Sequence, residues 1–177
     1  MSSFTKKAIM ESFLRLAGKK SLDKITVRDI VDECGINRNT FYYHFQDIYA
    51  VMEALCKELF LSLPEGSPLA EELCGFLRAV GNFSITYPRS THGLVLSLGY
   101  DGFYRYFAPE LQHLVLCGLE KELPDRSNTY LRHLTAFICH AVVGLSVDVL
   151  KAGGKLSLDE VLGDLQQVLE ALISDQK

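Results

Sequence analysis

Long apolar runs are missing from this sequence. Its longest stretch free of Asp, Glu, Lys and Arg lies between Arg132 and Asp148, fifteen residues that include His133 and His140. A membrane-spanning helix needs roughly 18–20 apolar residues, so the stretch reads as a buried helix and no membrane partner is expected. The N-terminal MSSFTKKAIMESF has neither an apolar h-region nor a small-residue cleavage site, and a cytoplasmic location is the expectation. Cysteine is sparse and odd in number, with residues at 34, 56, 74, 117 and 139 set in apolar periodic segments. That pattern excludes a disulfide framework and a CxxC metal site, and it predicts reduced core thiols. There is no GxSxG elbow, no GxxxxGK[ST] phosphate loop and no HExxH, and the acids within helices are spaced as on solvated faces. No catalytic residue is therefore expected, and the chain does not read as an enzyme. His113 and Cys117 form the one convincing i, i+4 ligand pair, which is too few for a metal, and no cofactor is implied. Internal repeats and low-complexity tracts are also missing.

What is present is a 177-residue chain, 48% hydrophobic, with mean hydropathy near zero. It has ample apolar material for a folded core. A net charge of −4 seems unsuited to a polyanion partner. The charge is unevenly distributed, however. Residues 1–56 carry 8 Lys+Arg against 7 Asp+Glu, and residues 57–177 carry 10 against 15. Only the first third could tolerate nucleic acid.

Apolar spacings of three and four recur between breakers, so the fold class is all-α. A first helix is predicted from about Thr5 to Lys19, burying Ile9, Phe13, Leu16 and Ala17, with Gly18 ending it. The next segment, ITVRDIVDECG, specifies a second helix. Thr26 is its N-cap, Asp29 closes an acidic capping box, and Ile25 and Ile30 form a hydrophobic staple. Gly35 supplies the left-handed C′ residue. Asn37 can cap a third helix at once, so the arrangement is helix-turn-helix, whose second member enters the DNA major groove.

That third helix reads NRNTFYYHF, residues 37–45. At 100° per residue Phe41 and Phe45 share one face and must pack inward. Asn39, Thr40 and Tyr43 point outward, as base readers would. Tyr42 and His44 lie on opposite flanks, where a helix in the groove meets the phosphate walls, and Arg38 is long enough to reach a phosphate or a guanine edge. A solvated helix would rarely place two tyrosines on such a face, so something planar and hydrogen-bonding should cover them.

These residues, TVRDIVDECGINRNTFYYHFQD with the helix before them, resemble the DNA-binding domain of the tetracycline-repressor (TetR) family of bacterial transcription regulators. The resemblance covers about residues 5–55. It implies a repressor that binds a palindromic double-stranded DNA operator as a homodimer, with a C-terminal region that dimerises and senses a small-molecule effector. It also implies phosphate contacts from Thr26, Tyr42 and His44 and base-facing positions at Arg38, Asn39, Thr40 and Tyr43. One departure weakens the electrostatic share of binding. Where the family usually reads F-K-N-K-D-E-L, this chain reads F-Q-D-I-Y-A-V, so Ile48 cannot make the phosphate contact of the second lysine, although Asp47 is a sound N-cap. The short length and the GGKLSLDEVL connector resemble the branch that includes regulators of dihydroxyacetone-kinase operons.

The expected division is a helix-turn-helix domain over 1–46 and a helical regulatory and dimerisation domain over 47–177. Beyond a helix carrying Val51, Leu55 and Leu59, the remaining spacing predicts helices over about 67–86, 89–98, 102–122, 127–151 and 157–174. Leu158, Val161, Leu165, Val168 and Leu172 on the last helix, with Leu134, Ile138, Ala141 and Leu145 on the one before, are the expected dimer interface. The aromatic run YDGFYRYFAPEL raises a ligand pocket from Tyr87, Phe103, Tyr104, Phe107 and His140. A different reading is an adaptor or co-regulator, in which the helix-turn-helix works through another protein; the small charge excess of residues 1–56 favours it.

Overall fold

The computed structural model describes residues 2–61, 63, 66–153 and 158–174, and among these every regular element is a helix. The helices are α1 (Ser2–Ala17), α2 (Val27–Cys34), α3 (Arg38–His44), α4 (Ile48–Leu61), α5 (Leu69–Thr86), α6 (Pro88–Glu122), α7 (Asn128–Ala152) and α8 (Leu158–Ser174), with a 3-10 turn at Leu22–Lys24. The all-α expectation holds.

α1 to α3 form a small unit around Ile9, Phe13, Ile30 and Phe41, all fully buried. α1 lies across α2, α4 and the start of α6, so the N-terminal helices are built directly onto the rest of the molecule. In the remainder α5 is central: it packs against α6 and α7, and on another side it receives α8. α6 and α7 share the most extensive helix contact. By length and composition α7 could cross a membrane, but half of its apolar window is buried inside the fold, as in a core helix.

The long helix predicted in two pieces, 89–98 and 102–122, is one run broken by a single residue. Gly99 has φ 57° and ψ −168°, a region that only glycine enters without strain of order 1–3 kcal/mol. The chain bends there, and Leu98 folds back so closely over Gly102 that a side chain at 102 would meet it. Pro109 lies inside the second piece without ending it.

α6 approaches α1 at three points. Gly93 lies against the carbonyl of Ala17, where a Cβ would overlap the backbone oxygen. The Ser90 hydroxyl, itself buried, donates to Leu14 O at 2.7 Å. The Leu22 N–H donates to Ser97 Oγ at 3.1 Å, tying down the turn between α1 and α2. None of these contacts has a signature in the local pattern of the chain.

Candidate nucleic-acid interface

The start of α2 is fixed by a closed set of hydrogen bonds. Asp29 N–H donates to Thr26 Oγ1 at 3.2 Å, and Thr26 N–H and its hydroxyl both donate to Asp29 Oδ2, at 2.8 and 2.7 Å. Lys20 adds an ion pair to the same oxygen at 2.7 Å. That ammonium, helped by the Thr26 hydroxyl and N–H, holds the Asp29 carboxyl down at about 2. Ile25 and Ile30 are buried beneath the cap as a staple, and Gly35 closes the helix at φ 72°.

Two residues later Asn37 opens α3. Its Oδ1 accepts from Thr40 N at 2.8 Å and from the Thr40 hydroxyl at 3.1 Å. Phe41 and Phe45 face inward, their rings 6.0 Å apart, and Phe41 is fully buried. The opposite side carries Tyr43 at 79% exposure and Tyr42 at 55%. Arg38 and Asn39 are exposed beside them, and among the described residues no carboxylate lies within ion-pair distance of Arg38. The Tyr42 ring stands edge-on to Phe41 and the Tyr43 ring edge-on to His44, so packing with neighbouring rings limits the freedom of both tyrosines. His44 is half-buried.

Thr40 is placed differently from the sequence expectation. It is half-buried, and its hydroxyl proton is already committed to the Asn37 cap, which leaves it only acceptor capacity toward a base edge. Thr26 is exposed, but its hydroxyl belongs to the capping box. Asp47 caps α4, accepting from Ala50 N at 2.8 Å.

The near-neutral charge of this unit is resolved by pairing. Arg15 and Lys19 both reach Glu33, at 2.9 and 3.4 Å, and Lys20 takes Asp29. Glu33 and Asp29 are therefore neutralised by lysines and an arginine of α1 and the following turn, and Asp32 pairs with Arg28 within α2. Lys6 is a cation that the sequence reading did not single out: its ammonium lies 5.8 Å from the centre of the Phe45 ring, in a groove it shares with His44. Lys6 is 38 positions from His44 in sequence, and only the crossing of α1 brings them together.

The five residues of the expected ligand pocket do not meet. Phe103 and Phe107 are buried and line a cavity of about 20 Å³ between α4, α5, α6 and α7. Tyr104 instead stacks on His140 with ring centres 4.4 Å apart, on the outer side of α6 and α7, and the Tyr100 hydroxyl hydrogen-bonds His140 Nδ1 at 2.7 Å. Tyr87 sits at the α5–α6 elbow against Phe83. Phe103 and Tyr104, successive residues about 100° apart on α6, here face different sides of it, one into the cavity and the other onto His140.

Of the expected dimer residues, Ile138 is 1% exposed and belongs to the core of this chain, a correction that follows from the packing of α7 on α5 and α6. Leu134, Leu145, Val161, Leu165 and Leu172 are half-buried, Ala141 is exposed and Val168 is 63% exposed. The side chain of Leu158 lies outside the described residues. α8 carries two apolar faces. Leu162, Leu169 and Ile173 are buried, whereas Val161, Leu165, Val168 and Leu172 form a second stripe beside them. On α7, Phe137 is a separate exposed apolar side chain, 65% exposed. His113 and Cys117 lie 3.8 Å apart, and no third ligand joins them among the described residues.

Comparison with known proteins agrees with this geometry. The sequence pattern of "Bacterial regulatory proteins, tetR family" matches residues 9–55, a span that runs from α1 into α4. The chain is 31% identical over 71 residues to the "Uncharacterized HTH-type transcriptional regulator YerO" of Bacillus subtilis (strain 168). That match covers 40% of this chain and 25% of the relative. Among solved structures, "Dihydroxyacetone kinase operon activator DhaS" superposes with a TM-score of 0.62 over 96% of both chains at 21% identity, a likeness of fold alone. Residues 9–55, a helix-turn-helix unit carried on an all-α body, thus match the pattern of the tetR family of bacterial regulatory proteins.

Proposed function

We propose that the chain is a sequence-specific DNA-binding transcriptional regulator that acts as a homodimer on a palindromic operator. The observation that carries this reading is the outer face of α3, where two exposed tyrosines stand with Arg38 and Asn39 on a helix that a capped α2 and the buried Phe41 hold rigidly. In the major groove Tyr43 and Asn39 read base edges, Thr40 contributes an acceptor and Arg38 reaches a phosphate or guanine. Tyr42, His44, Thr26 and Lys6 lie against phosphates and set the register. The regulator is cytoplasmic and represses until a small effector binds; the dihydroxyacetone-kinase branch is the finer placement. Homodimerisation is supported by the second apolar stripe of α8, half-buried at Val161, Leu165 and Leu172 and exposed at Val168, and by the outer side of α7. On α7 the outward residues His133, Phe137, Ala141, Gly144 and Asp148 recur at helical spacing. They lie on one exposed or half-exposed stripe, and Gly144 has open space where a Cβ would be.

The test is binding to duplex DNA from upstream of the chain's own gene over a salt series. A regulator contacting six to ten phosphates loses about 10³–10⁵ in affinity between 50 and 200 mM salt, and a scrambled duplex binds far more weakly than the cognate one. A chain that binds no duplex even at low salt is an adaptor working through another protein, the reading favoured by the near-balanced charge of residues 1–56.

A further inference from the structure

Thr91, near the start of α6, is 2% exposed, and its hydroxyl has no hydrogen-bond partner. Among the described residues only Thr135 shares that condition. An unsatisfied buried hydroxyl costs on the order of 1–3 kcal/mol, which makes it a position where a partner is gained at a profit. Thr91 lines the 20 Å³ cavity, where the other residues are apolar side chains of α4, α5, α6 and α7. Such a volume holds one water-sized group. Cys56 also lines it, and burial pushes its thiol well above the ordinary range, so the lining is uncharged.

The cavity adjoins a larger space. A groove of about 220 Å³ runs between α1, α4 and α5 over Met10, Leu14 and Tyr87. The side chains of Leu55, Leu59 and Phe83 line both spaces and form the partition between them. Lys7, Glu11 and Glu58 edge the groove, and its floor is apolar.

We propose that groove and cavity together bind a small neutral molecule, its apolar body lying between α1, α4 and α5 and a single hydroxyl or carbonyl passing Leu55, Leu59 and Phe83 to hydrogen-bond Thr91. A charged end is excluded by the cost of desolvating it in an uncharged cavity. An occupant touches α1 and α4 at once, the two helices between which the helix-turn-helix unit is set. This deepens the proposed function by giving the effector a place and a chemical class, and its regulatory meaning rests on that reading.

The experiment uses the whole chain without DNA, so its failure leaves the operator reading intact. Benzyl alcohol, toluene and benzoate are titrated by calorimetry and by thermal unfolding up to 10 mM. The expected result is a saturable rise in Tm with benzyl alcohol, binding about tenfold tighter than toluene because one hydrogen bond is at stake, and none with benzoate. In Thr91→Val, nearly isosteric and free of the buried hydroxyl, benzyl alcohol and toluene should bind equally; its far-UV spectrum and Tm establish that it is folded. The proposal is overturned if neither neutral probe binds, if benzoate binds as well as benzyl alcohol, or if Thr91→Val keeps the tenfold preference.

Discussion

Replacing Gly93 with alanine tests how the helix-turn-helix unit is fastened to the body. The added methyl would overlap the carbonyl oxygen of Ala17. Backbone cannot rotate away as a side chain can, so α6 and α1 must separate. Forcing one extra carbon into a packed contact costs about 1–3 kcal/mol. Separation also stretches the hydrogen bond from Ser90 Oγ to Leu14 O, now 2.7 Å, and that from Leu22 N to Ser97 Oγ, now 3.1 Å. Each is worth about 0.5–1.5 kcal/mol. The sum is roughly 2–6 kcal/mol, a large share of the ~5–15 kcal/mol that holds an ordinary domain together. Urea unfolding followed by far-UV circular dichroism measures it, and the matched control is Gly163→Ala in α8, where a Cβ meets nothing within 4 Å. Alanine at 163 should stabilise by up to about 1 kcal/mol through helix propensity. Equal midpoints for Gly93→Ala and the parent chain would show that the α1–α6 approach is looser than described, and the reasoning would fail.

On the recognition helix, Tyr43→Ala should cost about 1–3 kcal/mol per half-site on the cognate duplex and relax preference at one or two base pairs. Tyr42→Phe should weaken cognate and scrambled duplexes by similar factors; a changed ratio would mean that α3 docks in another rotation. Val168→Glu and Leu165→Glu place a charge in the uncovered stripe of α8 and should yield monomers in sedimentation while helicity is kept, with operator affinity falling as one half-site is lost; a dimer that persists at micromolar concentration removes α8 from the interface. Asp29 titrates near 2 in the folded chain and about 3.9 when unfolded, so its contribution is complete above pH 4 and disappears as pH falls from about 4 through 2. Asp29→Asn should flatten that part of the Tm profile, and an unchanged slope would show that the Lys20 pairing does not persist in solution.

How far the sequence could be read depended on the range of the interactions. The α2 cap, its staple and Gly35 are specified within eleven consecutive residues, and the structure forms each of them. The inward face of α3 was equally legible, because Phe41 and Phe45 are one turn apart. The second bond of Thr40 had a cue in the sequence: an N-cap Asn three positions ahead offers an oxygen to the Thr hydroxyl as well as to the N–H. Ile138 was less accessible. α7 is apolar around much of its circumference, and periodicity alone cannot say which stripe its own chain consumes. Phe103 and Phe107 were separated from Tyr104 and His140 by the depth at which α6 lies, and Lys6 reached α3 only through tertiary crossing. Lone contacts between distant helices, such as Gly93 on Ala17, have no local signature.

The break at Gly99 divides the labour of α6. Its first eleven residues, Pro88–Leu98, carry the contacts to α1 and the turn at Leu22, whereas the piece after Gly102 lies along α7. An unbroken helix of this length would act as a stiff rod, and tilting one end would displace the other by an amount set by the distance between them. A backbone at φ 57° and ψ −168° interrupts the ladder of helical hydrogen bonds, so the two pieces can change their mutual angle by torsion at one residue. The piece that holds the helix-turn-helix unit is thus joined to the large α6–α7 contact through a bend at one residue. Movement of the N-terminal piece need not loosen the packing of the C-terminal one, and amide exchange should open the two pieces at separate rates, with the boundary at Gly99.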